Sequence, residues 1–149
     1  MISKEVKIYV EDGILVPAYK TEGAAALDLS VKKEIVLMPN EFMIAPTGIY
    51  VEIPEGYYLE ITPRSSLGKT YSGIFIPNSP GIVDSDYRGE IGICLYNSTS
   101  VIVTIPAGER IAQGNLKEVI RIDWRKVSDS GCLSQTERGS GGFGSTGRG

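Results

Sequence analysis

Apolar residues recur along this chain in short alternating or continuous runs, and no long stretch carries the 3.6-residue period of an amphipathic helix. Lys7 to Val10, Ile35 to Met38, Phe42 to Ala45, Ile49 to Ile53, Tyr57 to Thr62, Ile91 to Tyr96, Val101 to Ile105 and Val119 to Ile122 all read as strands. Pro39-Asn40, Pro54-Glu55-Gly56, Asn97-Ser98 and Pro106-Ala107-Gly108 supply turns between them. Many short strands broken in this way predict an all-β barrel or double-sheet jelly-roll arrangement. The one place for a short helix is Ser65 to Tyr71, where a serine hydroxyl can cap free N–H groups.

After Trp124 the pattern ends and the chain turns polar; from Glu137 it reads ERGSGGFGSTGRG. Glycine dominates there and no core can form, so residues 1–127 are expected to be one all-β domain and residues 128–149 a flexible linker and Gly-rich arm. As a coil, that arm would average about 26 Å end to end. Fully stretched it would span about 70 Å. It can reach a site on its own chain or on a neighbour.

Composition narrows the chemistry. The 149 residues suit one domain, and 42% hydrophobic with 22% charged residues is ordinary for a folded soluble protein. A net charge of −3 speaks against direct nucleic-acid binding, which needs a basic face. No run of eighteen apolar residues is present, so no membrane span is expected. The charged N-terminal MISKEVKIYV does not resemble a signal peptide, and an intracellular, non-secreted protein is expected. Cys94 and Cys132 lie in different settings and read as free thiols. With no histidine at all, Ser-His-Asp and Cys-His catalysis and His-ligated zinc are excluded. Carboxylates, hydroxyls, arginines and a hard metal ion remain.

Five segments can carry such chemistry. GGFGSTG, Gly141 to Gly147, lets backbone N–H groups converge on an anion, with Ser145 and Thr146 hydroxyls beside them. Arg138 adds a guanidinium, and Phe143 is a lone aromatic with no core to join; the other reading is a plain Gly/Ser linker. PRSSLGKT, Pro63 to Thr70, sets Arg64 and two hydroxyls at a helix start, either a phosphate cradle or a capped surface turn. In GIVDSDYRGE, Asp84 follows an apolar triplet and is expected at the edge of the interior, where a carboxylate can deprotonate a water. A salt-bridged turn explains the same residues. EGAAALDLS puts Asp28 on an apolar strand, as a turn cap or as a direct or water-mediated ligand for Mg²⁺ held mainly by phosphates. AGERIAQGN reads as a turn into a strand, with Gln113 its one suspect.

Taken in order, AAALDLS, PRSSLGKT, NSPGIVDSDYRGE, GERIAQGN and RGSGGFGSTG resemble the five motifs of the trimeric dUTPase family, from about Ala24 to Gly147. The resemblance implies a β-clip, jelly-roll-like subunit in a homotrimer whose active sites are shared between subunits. It implies Mg²⁺-assisted hydrolysis of dUTP to dUMP and pyrophosphate, supplying dUMP for thymidylate synthesis and limiting uracil in DNA. By position, Asp84 would activate the attacking water, Gln113 would help place it, and Arg64 with Ser65 and Ser66 would hold phosphates. Asp28 would touch the Mg²⁺ shell through water. Asn78 and the backbone around Gly81 and Val83 would read uracil, while Tyr87 would lie under the deoxyribose and exclude a 2′-hydroxyl. Phe143 would stack on uracil, and Arg138, Gly144, Ser145 and Thr146 would grip the outer phosphates.

The chain departs from the pattern at Ala26, Ser66 and Gly68. Its RSSL string is closer to the dCTP deaminases, which share the fold, so a deaminase or a bifunctional enzyme is the same-fold alternative. Those enzymes need a glutamate on the strand after their Asp motif, where this chain has Cys94. A dUTPase with an added protein-binding regulatory role is the other alternative.

Overall fold

The computed structural model describes residues 3–142, and its regular structure is almost wholly strand. In chain order these are β1 (Lys7–Val10), β2 (Leu27–Ser30), β3 (Ile35–Leu37), β4 (Phe42–Pro46), β5 (Ile49–Glu52) and β6 (Tyr57–Pro63). After the four-residue helix α1 (Leu67–Thr70) come β7 (Ile74–Phe75), β8 (Gly81–Val83), β9 (Gly92–Asn97), β10 (Val103–Ile105) and β11 (Arg110–Glu118). A single 3₁₀ turn lies near the C-terminal end, at Ser130–Cys132. The strands form four small antiparallel sheets, the largest in the order β2-β11-β6-β8 and the next in the order β4-β9-β7.

Alternation decides which residues meet in the middle. On β9, Ile93, Leu95 and Asn97 point inward while Gly92, Cys94 and Tyr96 do not. Leu29, Leu37, Ala45, Ile105 and Ile111 close the same core. Asn97 is fully buried yet satisfied: its Nδ2 donates to the carbonyls of Leu37, Met38 and Val101, and its Oδ1 accepts from the N–H and hydroxyl of Thr99. A buried amide bonded on every side fixes the strand ends that it joins, because an unmade bond there would carry the full desolvation cost.

Most expected strands are present to within two residues, with three differences from the expected pattern. Val119 to Ile122 is not a strand; β11 ends at Glu118, and no strand of the described residues pairs with the segment beyond it. Ile120, Ile122 and Trp124 are left almost bare. The short β7 and β8 are paired strands that the apolar pattern does not reveal, being two and three residues long. At α1, Ser66 occupies the cap position without a side-chain cap bond. Cys94 and Cys132 are both free thiols, and no helix of the described residues is long and apolar enough to cross a membrane.

One ionic cluster ties the sheets together. Lys32 Nζ lies 3.0 Å from carboxylate oxygens of both Glu11 and Glu90. The Gly48 N–H donates to Glu90 Oε1 at 2.7 Å, and Gly48 has φ +72°, a conformation that suits glycine. Partial burial pushes the Glu90 carboxyl up, but the Lys32 and Gly48 hydrogen bonds outweigh it and leave it below its ordinary value. Bonds to Glu90, then Glu11, raise Lys32. A carboxyl lowered in the folded state contributes stability that is present above its unfolded value, near 4.5, and lost as pH falls through the folded value. The denaturant midpoint should therefore fall on acidification below that point, and Glu90→Gln should flatten this acid limb. An unchanged slope in the variant would show that Glu90 does not contribute.

Candidate active site

Three neighbouring strands bring the first group of residues together. In register, Asp28 on β2 faces Gln113 on β11, which in turn faces Thr62 on β6. Residues directly opposite in antiparallel strands share a face, and Arg64, two beyond Thr62, continues on it. The Arg64 N–H donates to the Ile111 carbonyl, so the ladder still holds the chain there.

Arg64 Nε reaches Asp28 Oδ1 at 2.8 Å, and Arg110 Nη1 reaches Asp28 Oδ2 at 2.9 Å. Arg64 Nη1 also donates to the Arg110 carbonyl at 3.2 Å. The Asp28 side chain is only 13% exposed, against 25% for Arg64 and 44% for Arg110. One carboxylate between two guanidiniums leaves a net positive charge on rigidly held donors, the character of an anion site.

Alternation along the chain does not place Arg110 on this face. In an uninterrupted strand Arg110 and Gln113, three apart, would face opposite ways. Here the β11–β2 register shifts between Arg110 and Ala112, so Arg110 faces Ser30 while Ala112 faces Leu29. That bulge turns Arg110 onto the Gln113 face. Its one trace in the sequence is the adjacent pair Ile111 and Ala112, both fully buried where alternation would bury one.

Ser65 is exposed and Ser66 half-buried beside Arg64, ahead of the buried Leu67. Any hold they have on an anion comes from their hydroxyls, since α1 is too short to add a dipole of any weight.

A second group lies elsewhere. β8 is the outer strand of its sheet, with Gly81 facing Ile61 and Val83 facing Leu59 on β6. Val83 packs inward, so only its backbone can face a ligand. Asn78 is exposed with its Nδ2 folded over Gly81, where a Cβ would meet it at 3.4 Å. Asp84, expected at the edge of the interior, is exposed: the buried side chain of the preceding Val83 ends the inward facing, and the chain turns away. The turn is closed by Tyr87 N–H donating to the Asp84 carbonyl at 3.2 Å. Tyr87 Oη donates to the Glu90 carbonyl at 2.9 Å, and the end of its ring lies so close to Gly89 that a Cβ there would force the ring to shift.

The two groups do not meet within one chain. Asp84 borders an open groove of about 1280 Å³ with Ser85, Asp86 and Arg88, whereas Asp28 and Arg110 line a separate cleft of about 540 Å³. Register gives the separation. From β2 to β8 there are three strand spacings, about 14 Å, and from Thr62 to the level of Tyr58 about 13 Å along the strand. Asp28 and Asp84 are thus about 20 Å apart, far beyond the hydrogen-bond reach that a shared reaction centre requires.

In the tail, Arg138 is exposed and its Nε donates to the Gly141 carbonyl at 2.7 Å. Phe143, Gly144, Ser145 and Thr146 lie outside the described residues. Among the described residues no group of three or more acidic, Cys or His side chains is placed to hold a metal ion.

Comparison with known proteins identifies the family. The dUTPase family model matches residues 12–147. The deoxyuridine 5'-triphosphate nucleotidohydrolase of Fusobacterium nucleatum is 42% identical over 146 residues, covering 97% of each chain. That of Caldanaerobacter subterraneus is 47% identical over 133 residues, 88% of this chain and 87% of the relative. Among solved structures, the dUTPase of Staphylococcus bacteriophage 80alpha with dUPNHPP shares the fold at TM-score 0.85 and 24% identity, over 98% of this chain and all of that one. The dUTPase of Streptococcus mutans superposes at TM-score 0.72 and 29% identity, over 81% of this chain and all of its own. The chain belongs to the dUTPase family.

Proposed function

We propose that the chain hydrolyses dUTP to dUMP and pyrophosphate at sites shared between copies of itself in a homotrimer. The observation that carries this reading is the separation of two complementary half-sites: a cationic Asp28–Arg64–Arg110–Gln113 face, and the Asp84–Tyr87 loop about 20 Å away. Each half lacks what the other has. A neighbouring copy supplies the missing half, as closed symmetric assemblies allow. The bare, period-two row Ile120, Ile122 and Trp124 beyond β11 supports association, because exposed apolar surface of this kind marks contact sites.

In the reaction, the Asp84 carboxylate takes a proton from water as its oxygen bonds to the α-phosphorus. The bond from that phosphorus to the α–β bridging oxygen breaks, and pyrophosphate leaves with the electron pair. Arg64, held by Asp28 and the Arg110 carbonyl, and Ser65 and Ser66 hold phosphate oxygens; Arg110 adds charge to the same face. Gln113, on that face, positions the water. Fixed donors of this kind need no reorganisation as charge develops.

Magnesium fits as part of the substrate. Asp28 is a lone carboxylate already engaged by two guanidiniums, which opposes direct coordination but leaves lone pairs for a metal-bound water. Mg²⁺ carried by the triphosphate would neutralise charge on the leaving group. Asn78 and the backbone at Gly81 and Val83 read uracil, and Tyr87 excludes a 2′-hydroxyl. Arg138, Phe143, Gly144, Ser145 and Thr146 close over the nucleotide. The product dUMP serves thymidylate synthesis, and removal of dUTP limits uracil in DNA.

The test is a panel of dUTP, UTP, dCTP and dTTP with Mg²⁺, assayed for pyrophosphate and ammonia together. Pyrophosphate from dUTP alone, abolished by chelation, is the expected result. Ammonia from dCTP would replace this reading with the deaminase one. Against the deaminase stands Cys94, facing Ile44 on the side of β9 turned from the core, where a proton-shuttling carboxylate would be needed.

A further inference from the structure

The cluster around Lys32 has a place in the site that its stabilising role does not exhaust. Glu90 is joined to the Asp84–Tyr87 loop through its own peptide, since its carbonyl accepts the Tyr87 hydroxyl at 2.9 Å. Its side chain is held from the other direction by the Gly48 N–H at 2.7 Å and Lys32 Nζ at 3.0 Å. The next residue, Ile91, is fully buried; its N–H donates to the Ile49 carbonyl at 2.8 Å, and its carbonyl accepts the Thr47 hydroxyl at 2.6 Å. The Glu90 peptide therefore cannot shift without breaking bonds to the start of β5 and to the turn before it. A tyrosine hydroxyl bonded to that peptide inherits its rigidity. Without such an anchor, an exposed ring on a turn samples several rotamers.

Tyr87 is 45% exposed, and its hydroxyl bond to Glu90 and its close approach to Gly89 both restrain its ring. A ring that rejects one oxygen atom on a sugar must be placed to a fraction of an ångström, because discrimination by exclusion vanishes once the ring can yield. Lys32 lies four residues beyond Asp28 on the same segment, and its N–H donates to the Pro46 carbonyl at 2.9 Å. The cation that holds Glu90 is thus itself fastened to the framework, on the segment that carries the opposite half-site.

We infer that Glu90 is a positioning residue for sugar selection: clamped by Lys32 and Gly48, it fixes Tyr87 and so sets the preference for deoxyribose over ribose. The inference rests on the reading of Tyr87 as the residue beneath the sugar. Glu90 touches no substrate in it.

The experiment compares kcat/KM for dUTP and UTP in the parent, Glu90→Ala, Glu90→Gln, Lys32→Met and Tyr87→Ala. Glu90→Ala should lower the dUTP-over-UTP ratio by about tenfold or more, mainly by admitting UTP, since misplacement by about an ångström changes rates on that scale. Glu90→Gln keeps an oxygen for the Gly48 N–H and should restore most of the ratio. Lys32→Met removes the clamp from its other side and carries the test if Glu90→Ala does not fold. A lower Tm with an unchanged ratio in both variants would make the cluster purely structural and overturn the inference. If Tyr87→Ala relaxes the ratio while Glu90→Ala and Lys32→Met do not, only the Glu90 role falls. If Tyr87→Ala leaves the ratio intact, the sugar reading of Tyr87 falls, and the Glu90 role with it.

Discussion

Asp84→Asn should bind dUTP with near-parent affinity and turn it over about 10²–10⁴-fold more slowly, the usual worth of a positioned general base. Asparagine has the shape of aspartate but cannot take the proton of the attacking water. Asp84 is exposed in the single chain and its side chain supports no part of the core, so folding should be untouched. The loss should appear equally in kcat and in kcat/KM, the signature of an interaction made only in the transition state. Pyrophosphate release measured beside calorimetric dUTP binding checks both halves of this statement. A variant with parent turnover would remove Asp84 from the chemistry, and one that no longer binds would make it a recognition group.

The second large effect is a gain. Asp84→Asn and Arg64→Ala chains should each be nearly inactive alone, yet recover activity when unfolded together and refolded as mixed assemblies. On the shared-site reading, each site of a trimer would take Asp84 from one chain and Arg64 from the next. With random mixing at equal amounts, about a quarter of the sites combine an intact Asp84 with an intact Arg64. Activity should rise to about that fraction of the parent's. A site made within one chain would give no recovery, because no chain in the mixture carries both residues. The separation of about 20 Å is the reason to expect rescue: no side-chain motion closes that gap across a paired four-stranded sheet.

Much of this molecule is legible in its sequence because antiparallel strands with one buried face write their alternation directly into the chain. β9, with Ile93, Leu95 and Asn97 inward, is the plainest case. The segment Val119 to Ile122 misleads for the same reason: it carries the alternation, but beyond Val119, whose N–H donates to the Gly56 carbonyl at 2.8 Å, it has no strand partner among the described residues of one chain. Strand propensity states what a segment can pair with, and not whether the partner is in the same polypeptide. The clustering of Asp28, Arg64 and Gln113 is readable only as motifs; their meeting on one face comes from register, which no single strand encodes. Arg110 escapes because a bulge breaks the period by which facing is inferred. Glu90 looks like part of an ordinary charged turn because its partners, Lys32 and Gly48, are distant in the chain. Asp84 is misplaced by the pattern since the apolar triplet before it includes Ile82, which is itself exposed on an edge strand.

β6 sets the distance between the two half-sites, with the level of Asp84 near its start and Arg64 just past its end. In most sheets, adding or deleting a residue pair is among the milder changes that evolution can make, because it preserves which side chains face inward. On the shared-site reading β6 lacks that freedom. A pair inserted between Leu59 and Thr62 would shift the two half-sites by about 7 Å along the strand while leaving the hydrophobic pattern intact. Selection on the length of this strand then comes from the chemistry at two different sites at once, so its length should drift less among descendants than the identities of the residues along it.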